Sequence, residues 1–243
     1  MLSDAHIHLS AFAEDYLAAH PMPTVVSCAT PEEAARAFAL AEKLPDLFPS
    51  CGIHPWQVDT ADWDAMLPWL DRAAIIGEIG MDNVWCQTDL GLQAEFFERQ
   101  LAYAQAQHKP VVLHTKGMER EILERIRRYP NTYHVHWYAE ESLIDDYLAL
   151  GCYMSVGPFP SLDPAVAAVA ARTPDERLLI ETDGIDAVAW ATGKSVAPDD
   201  YPRALAQIAR ETAALRDTTE DHILTLAHDN LLRFAKTAAT SER

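Results

Sequence analysis

Positive charge is scarce in this sequence. It has 19 lysine and arginine residues against 37 aspartate and glutamate residues, a formal net charge of −18 and a pI near 4.8. This balance argues against a broad basic surface for duplex nucleic acid or for an anionic membrane. Any contact with nucleic acid must therefore be local.

Long apolar runs and paired cysteines are also lacking. The longest run of small apolar residues, Ala165 to Ala171, is far too short to cross a bilayer, and the N-terminus does not resemble a signal peptide. Cys28, Cys51, Cys86 and Cys152 form no Cys-x-x-Cys pair, which argues against a zinc ribbon or a thioredoxin motif. We predict a cytoplasmic protein with reduced thiols and no membrane partner, whose oligomeric state stays open.

The chain does contain a repeated alternation of strand-like and helix-like segments. Eight short apolar segments are typical of strands, at residues 2–8, 24–28, 50–54, 74–79, 110–114, 132–137, 153–156 and 178–182. Helical patterns fill most intervals, at residues 31–44, 90–107, 119–128, 140–150, from 163 onwards, 201–215 and 219–234. Because strands separated by helices pair in parallel, the sequence predicts an α/β fold with a single (β/α)8 TIM barrel domain over residues 1–243, rather than an open doubly wound sheet.

A His-x-His pair stands on the first predicted strand, in Asp4-Ala5-His6-Ile7-His8. Alternation along a strand puts Asp4, His6 and His8 on one face. Two imidazoles on one face make half a metal site, and histidine is the commonest metal ligand. For this short pattern alone, two histidines satisfied by hydrogen bonds are an equal alternative.

Four more predicted strands end in ionisable residues, and barrel active sites lie at the C-terminal ends of the strands. The residues expected to converge there are His6, His8, Glu78, His114, His136 and Asp183. Nitrogen and oxygen donors without a thiolate suit one or two divalent ions such as Zn²⁺, Mn²⁺ or Mg²⁺. A hydrogen bond or a helix cap would explain each residue singly, but packing gives no reason for the whole group.

These motifs, in this order, resemble the TatD-type metal-dependent hydrolases. The matching strings are Asp4 to His8, Gly52-Ile53-His54-Pro55, Gly77-Glu78-Ile79-Gly80-Met81-Asp82, Leu113-His114-Thr115-Lys116, Glu181-Thr182-Asp183 and the closing Asn230 to Phe234. The resemblance implies a TIM barrel of the amidohydrolase superfamily. It also implies metal-dependent hydrolysis, in the best-known members of DNA phosphodiester bonds.

The resemblance further implies roles for the matching residues. One ion would be held by His6, His8, Glu78 and Asp183. The other would be held by Glu78, His114 and His136, so Glu78 is the predicted bridging ligand. Asp183 would also be the catalytic base that takes a proton from the attacking water.

His54 and Lys116 would face the substrate by the same resemblance. Lys116 follows His114 by two residues and shares its strand face, where its ammonium could hold a phosphate oxygen. A solvated loop lysine is an equal alternative. His134 shares a face with His136, and we expect it one layer deeper, held by hydrogen bonds.

Most substrate-facing positions depart from the family pattern. Trp56 stands where a second histidine often follows His-Pro, Lys116 replaces an arginine, Trp137 to Glu140 replaces Phe-x-Gly, and Gly184-Ile185 replaces Ala-Pro or Ser-Pro. The predicted strand-end loops instead carry tryptophans that either stack on bases or pack between loop and helix, namely Trp56, Trp85, Trp137 and Trp190.

The leading hypothesis is a metal-dependent phosphodiesterase, a deoxyribonuclease or exonuclease acting on single-stranded DNA or on a small phosphoester. Lys116, Arg120 and Lys194 would supply the local positive charge near the mouth. A second hypothesis replaces the substrate with an acyl ester or amide, such as an aminoacyl ester on RNA. A third is a metal-binding barrel without turnover, against which the intact Asp183 argues.

Overall fold

The computed structural model describes residues 1–237 and, within them, all side chains except those of residues 11, 12 and 198. Eight parallel strands form one sheet in sequence order. The strands are β1 Asp4–His8, β2 Thr24–Cys28, β3 Leu47–Cys51, β4 Ile75–Asp82, β5 Val111–Lys116, β6 Tyr133–Val135, β7 Tyr153–Val156 and β8 Leu178–Ile180.

Helices separate the strands and cover the outside of the sheet. They are α1 Ala11–Ala19, α2 Pro31–Ala41, α3 Trp63–Arg72, α4 Leu90–Ala106, α5 Glu119–Ile126, α6 Ile144–Ala149, α7 Pro164–Arg172, α8 Ile185–Thr192, α9 Tyr201–Leu215 and α10 Glu220–Ala235. Short 3-10 helices occupy Pro55–Gln57, Asp175–Arg177 and Pro198–Asp200. The alternation confirms the predicted (β/α)8 barrel; of the predicted domain, residues 238–243 lie outside the described part.

The barrel closes where the chain after β8 meets β1. The backbone N–H of Asp183 donates to the carbonyl of His6 at 3.0 Å. The Asp4 carboxylate accepts hydrogen bonds from the Thr182 backbone N–H at 3.0 Å, from the Thr182 hydroxyl at 2.6 Å and from the Tyr201 hydroxyl of α9 at 2.8 Å. These hydrogen bonds join β1 to the segment after β8 next to His6 and Asp183, which are the first and the last of the predicted site residues.

The prediction that Asp4 shares a face with His6 and His8 is wrong. Asp4 points to Tyr201 in the helical layer, because the pairing of β1 with β2 shifts register between Asp4 and Ile7. Burial raises the pKa of Asp4 to about 7, against the opposing effect of the hydrogen bonds from Thr182 and Tyr201.

The N-terminal half of the barrel interior is apolar. Val25, Val112, Tyr153 and Leu179 point inward from their strands, and Phe234 of α10 packs against the same cluster. These side chains are at most 2% exposed, so they pack together as an apolar layer. All the polar chemistry predicted for the interior therefore has to lie at the other end.

Some element boundaries differ from the sequence-based expectation. β3 covers Leu47–Cys51, whereas the predicted strand ran from residue 50 to 54. Pro49, at the middle of the observed strand, is unusual in a sheet and made residues 47–49 look unlike a strand. β4 continues to Asp82, three residues beyond the predicted end. Three helices were not predicted, and one of them, α3, carries Pro68 in its interior. No helix within residues 1–237 is long and apolar enough to cross a membrane.

Candidate metal centre

Glu78 of β4 lies at the centre of a group of imidazoles in the C-terminal half of the barrel, of which His6, His114 and His136 are buried and His8 is half exposed. Its Oε2 atom is 3.3 Å from His6 Nε2 and 3.5 Å from His8 Nε2. Its Oε1 atom is 2.7 Å from both His114 Nδ1 and His136 Nε2. The two carboxylate oxygens thus face two different clusters, which is the arrangement that a bridging ligand requires.

The first cluster consists of His6, His8, Glu78 and Asp183. His6 Nε2 lies 3.4 Å from His8 Nε2 and 3.4 Å from Asp183 Oδ1, and His8 Nε2 lies 3.6 Å from Asp183 Oδ1. Four ligands bound tetrahedrally at about 2.0–2.1 Å from a zinc ion lie roughly 3.3 Å from one another. The spacing of these donor atoms therefore fits a single divalent cation.

Two of these donors are buried without a hydrogen bond. Within residues 1–237, Glu78 Oε2 and Asp183 Oδ1 have no hydrogen-bond partner although both atoms are inaccessible to solvent. An unsatisfied buried carboxylate oxygen is costly, and a cation removes that cost. The residues present therefore suit a metal in chemistry as well as in spacing.

The second cluster consists of Glu78, His114 and His136. His136 Nε2 is 3.5 Å from His114 Nδ1, so both face the Oε1 atom of Glu78. On the outer side of each ring stands a further carboxylate: Asp82 Oδ2 is 3.0 Å from His114 Nε2, and Glu181 Oε1 is 3.4 Å from His136 Nδ1. A carboxylate behind an imidazole fixes the ring and its tautomer.

Asp82 and Glu181 were not predicted to take part in the site. Both belong to motifs of the sequence that resemble the TatD family, at the end of Gly80-Met81-Asp82 and at the start of Glu181-Thr182-Asp183. Burial would raise the pKa of Asp82, but the hydrogen bonds from His114, Trp85 and Trp56 hold it below its usual range. Asp82 is thus an ionised acceptor placed behind His114.

Electrostatics around Glu78 favour a charged carboxylate and protonated imidazoles at His8 and His136. Burial opposes ionisation of Glu78, yet the nearby His136 and the hydrogen bond from His114 hold its pKa well below the usual range. Burial would lower the pKa of His136, but the Glu78 carboxylate raises it well above the ordinary value. For His8 the same competition, with Glu78 and Asp183 as partners, raises the pKa to about 9. Binding of metal cations would displace these protons from the ring nitrogens of His8 and His136.

Burial is the main influence on the ionisation of Asp183. Burial raises its pKa above the ordinary value, against the opposing effect of the neighbouring His6 and His8. Its side chain remains 17% exposed, so it is reachable from the mouth of the barrel. With His8, whose side chain is 50% exposed, it therefore joins the first cluster to the open space above.

His54, which is predicted to face the substrate, lines the cavity and also lies directly beside Glu78 of the second cluster. Its Nε2 atom is 3.4 Å from Glu78 Oε1, and its Nδ1 atom accepts a hydrogen bond from the Trp56 backbone N–H at 3.2 Å. Accepting at Nδ1 leaves the proton of the neutral ring on Nε2. Burial lowers the pKa of His54 to about 4, so the ring is neutral, and with Glu78 and His114 it forms a further group whose donor atoms lie close enough to hold a metal ion.

Gly80 allows β4 and β5 to approach closely enough to build the second cluster. A Cβ atom at this position would lie 1.9 Å from the carbonyl oxygen of His114. No side chain fits there without displacing the β5 backbone and with it the His114 ring. The glycine inside the strand is therefore explained by the site and not by a turn.

His134 lies below the centre, as predicted. It is fully buried, and its Nε2 atom is 2.8 Å from the Ser155 hydroxyl. Its ring packs edge-on against Phe234 at a centroid distance of 5.6 Å. Burial lowers the pKa of His134 to about 3, which makes it a neutral member of the layer between the apolar half and the metal centre.

A cavity of about 290 Å³ opens above the centre. It is lined by the Asp183 carboxylate, by both residues predicted to face the substrate, His54 and Lys116, and by the four tryptophans predicted near the mouth. The Lys116 ammonium lies 4.4 Å from the ring centroid of Trp85. Arg120 and Lys194 are exposed and do not line the cavity, contrary to the expectation for these two cations.

Comparison with known proteins agrees with this architecture. Residues 3–236 match the family model described as TatD related DNase. The chain belongs to the TatD family. The predicted family is confirmed, and with it a metal-dependent hydrolase.

Three TatD relatives illustrate the range of similarity. The human 3'-5' RNA nuclease TATDN2 is 28% identical over 172 residues, which cover 67% of this chain and 22% of that protein. The 3'-5' ssDNA/RNA exonuclease TatD of Dickeya dadantii is 29% identical over 165 residues, covering 63% of this chain and 62% of that protein. This chain therefore spans less than two thirds of either nuclease.

The third relative is Escherichia coli YjjV, which is named an uncharacterized metal-dependent hydrolase. It is 27% identical over 175 residues, covering 67% of each protein. Its crystal structure superimposes on this TatD protein with a TM-score of 0.80, at 24% identity and over 96% of this chain and 97% of that chain. The likeness shows that the two share the barrel fold.

Proposed function

We propose that this TatD-family protein is a divalent-metal-dependent phosphodiesterase that cleaves nucleotides from single-stranded nucleic acid, as a deoxyribonuclease or exonuclease. The observation that carries the proposal is the position of Glu78, whose two oxygens face two donor clusters at the mouth of the barrel. The nuclease names of TATDN2 and of the Dickeya TatD support a phosphodiester substrate over other substrates.

The proposed ligands of the first ion are His6, His8, Glu78 and Asp183, and those of the second ion are Glu78, His114 and His136. When bound, such ions lower the pKa of water and neutralise charge that develops on a phosphoryl oxygen. Zn²⁺, Mn²⁺ and Mg²⁺ all accept nitrogen and oxygen donors, and the spacing of the first cluster favours a four-coordinate ion. Asp82 and Glu181 would hold the outer nitrogens of His114 and His136.

The protein's own side chains would move the proton and position the phosphate. Asp183, at the border between the first cluster and the cavity, would take the proton of the attacking water. His54 would donate its Nε2 proton to a phosphate oxygen, since its Nδ1 atom is already occupied by the Trp56 backbone. Lys116 would hold a second phosphate oxygen by charge alone.

Metal content tests the site and is measured first. The chain purified without chelator should carry about two ions, and His8→Ala and Glu78→Ala should each lower occupancy. Glu95→Ala, a change at an exposed glutamate of α4, is the matched control. A site that is not metallic would show the same metal content in all four proteins.

A substrate panel tests the chemistry. It contains single-stranded DNA, RNA, a phosphomonoester, a carboxylic ester, an amide and an aminoacyl ester on RNA, each with wild type, Asp183→Asn and the exposed control Asp186→Asn. We expect phosphodiester cleavage that only Asp183→Asn abolishes. Turnover of the acyl substrates with intact DNA and RNA would replace the proposal with an esterase or amidase, and metal binding without any turnover would replace it with a binding protein.

A further inference from the structure

Three tryptophans surround the upper part of the cavity. Trp85 follows β4, Trp137 follows β6 and Trp190 lies on α8. Trp190 contacts the other two edge to face, with ring centroids 5.9 Å from each. Trp85 is 46% exposed and Trp190 is 67% exposed. A cluster of half-exposed indoles at the mouth of a site leaves apolar surface unburied and marks a place where a ligand binds.

Trp137 is fixed in place by the metal centre itself. Its backbone N–H donates to Glu181 Oε1 at 2.6 Å, and Glu181 stands behind His136. Its ring lies directly over Gly157, where a Cβ atom would approach within 2.5 Å of the indole. The aromatic wall is therefore held at a constant position relative to the proposed ions, which lowers the entropic cost of binding a ring against it.

Charge in the cavity does not suit a long polyanion. Among the lining residues within the described part of the chain, Lys116 is the one lysine or arginine, whereas Glu33, Glu119 and Asp163 line the same space. The whole chain carries a net charge of −18. Apart from the proposed ions, the cavity therefore offers a strand with many phosphates little positive charge to hold it, because polynucleotide affinity comes mainly from clustered cations.

The size of the cavity sets a similar limit. Its volume of about 290 Å³ lies at the lower end of the roughly 300–1,000 Å³ that small-molecule sites span. The space accepts a ligand about as large as one nucleotide unit. It is lined on one side by the proposed metal ligands His8 and Asp183 and on the other by indole rings.

Resting on the proposed function, we propose that Trp85, Trp137 and Trp190 form a stacking subsite for a single nucleobase next to the scissile phosphate. The preferred substrates are then dinucleotide-sized phosphodiesters, and the further length of a strand contributes nothing to binding. Lys116 couples the two parts of the ligand, since its ammonium lies over Trp85 while the same side chain lines the cavity beside the metal centre.

The kinetic test compares the dinucleotide dTpdT with the same molecule carrying an abasic sugar at one position or the other. Stacking of one base on an aromatic side chain contributes about 1–3 kcal/mol, or roughly 5- to 150-fold in affinity. We expect Trp190→Ala to raise KM for dTpdT about tenfold with kcat within about twofold, and to leave KM unchanged for one of the two abasic substrates. Trp190→Phe should restore most of the loss.

Trp63→Ala is the matched control. Trp63 is a half-buried tryptophan that packs on Tyr103 and Arg99 on α4, away from the cavity. Thermal melting of each variant checks that folding is retained. A KM for dTpdT that Trp190→Ala does not change, or equal losses for dTpdT and both abasic substrates, would overturn the subsite. So would a KM that falls tenfold or more as the strand grows from two to twenty nucleotides.

A binding measurement separates this proposal from the proposed function. Thymidine carries no phosphate, so ligand-observed NMR with the metal-loaded protein reports base binding without hydrolysis. Thymidine signals should broaden with wild type and with Trp63→Ala but not with Trp190→Ala, and 2-deoxyribose should show no effect. If no phosphodiester is cleaved while thymidine binds in this pattern, the nuclease proposal fails and the subsite stands. If DNA is cleaved and thymidine does not bind, the subsite fails alone.

Discussion

The metal centre and the tryptophan rim above it lie a few ångströms apart but are built in opposite ways. The centre consists mostly of buried side chains on or just after barrel strands, several of them held by neighbours, as when Asp82 stands behind His114; His8 is its exposed member. The rim consists of loop and helix residues such as Trp190, which is 67% exposed. The chemistry is therefore fixed by the barrel, whereas the choice of substrate depends on loops that can change without disturbing the barrel.

The largest effect is expected at the residue shared by both clusters. Glu78→Gln keeps the shape of the side chain but removes the charge that two cations require. We expect both ions to be lost and kcat to fall by a factor on the order of 10³, since metal activation supplies several kcal/mol. Elemental analysis and single-turnover rates measure the two quantities. If Glu78→Gln kept both ions, the centre would tolerate substitution as the rim does, and the contrast between the two regions would not hold.

A smaller effect is expected at Asp82, which contacts the proposed ligand His114 and not a proposed ion. Asp82→Asn keeps an acceptor near His114 Nε2 but removes the negative charge behind the ring. Metal affinity should fall about 10- to 100-fold, the usual effect of losing a partner of this kind. Competition with a fluorescent chelator measures the affinity, with Glu95→Gln on the surface as control. Unchanged affinity would show that Asp82 only orders the loop through Trp56, Val84 and Trp85.

At the rim, the one lysine or arginine among the described residues that line the cavity should matter for binding and little for turnover. Lys116→Met should raise KM for a dinucleotide roughly tenfold and remove the part of its salt dependence that comes from screening of this ion pair. Steady-state kinetics between low and high salt measure both. Lys194→Met, an exposed lysine outside the cavity, should change neither. A steep slope of KM against salt in wild type would indicate further cations in contact with the substrate.

The smallest effect is expected beneath the centre, at the seam of the barrel. Tyr201→Phe removes one of the hydrogen bonds to the Asp4 carboxylate and should cost about 1 kcal/mol of unfolding free energy. For a chain of this size that lowers Tm by roughly 2–4 °C. Tyr103→Phe, which removes a surface hydrogen bond to Asp71, should cost less. Unchanged metal content in both variants would confirm that the seam serves stability.

The centre could be predicted from the sequence because parallel strands of a barrel end at one rim. The structure brings together the six predicted residues, which lie within or just after five of the strands: His6, His8, Glu78, His114, His136 and Asp183. Their positions follow from the alternation of strands and helices alone. Their role as ligands stays a prediction that the metal measurements test.

The features that escaped prediction depend on local geometry that the sequence does not express. The direction of Asp4 depends on a register shift in β1, and the contact of Asp82 with His114 depends on β4 continuing to Asp82. Lys116, the last residue of β5, lines the cavity, whereas Arg120 on α5 and Lys194 after α8 do not. The sequence thus predicts which residues lie near the ends of strands. The register shift in β1 and the exact end of β4 can be seen only in the structure.

The closing of the barrel on itself has a consequence for how the protein is made. Asp4 and Thr182, which meet at the seam, are 178 positions apart in the chain. Because synthesis runs from the N-terminus, His6 and His8 leave the ribosome long before Asp183 does. Unfinished or truncated products cannot complete the first cluster, so hydrolytic potential arises only with the finished barrel.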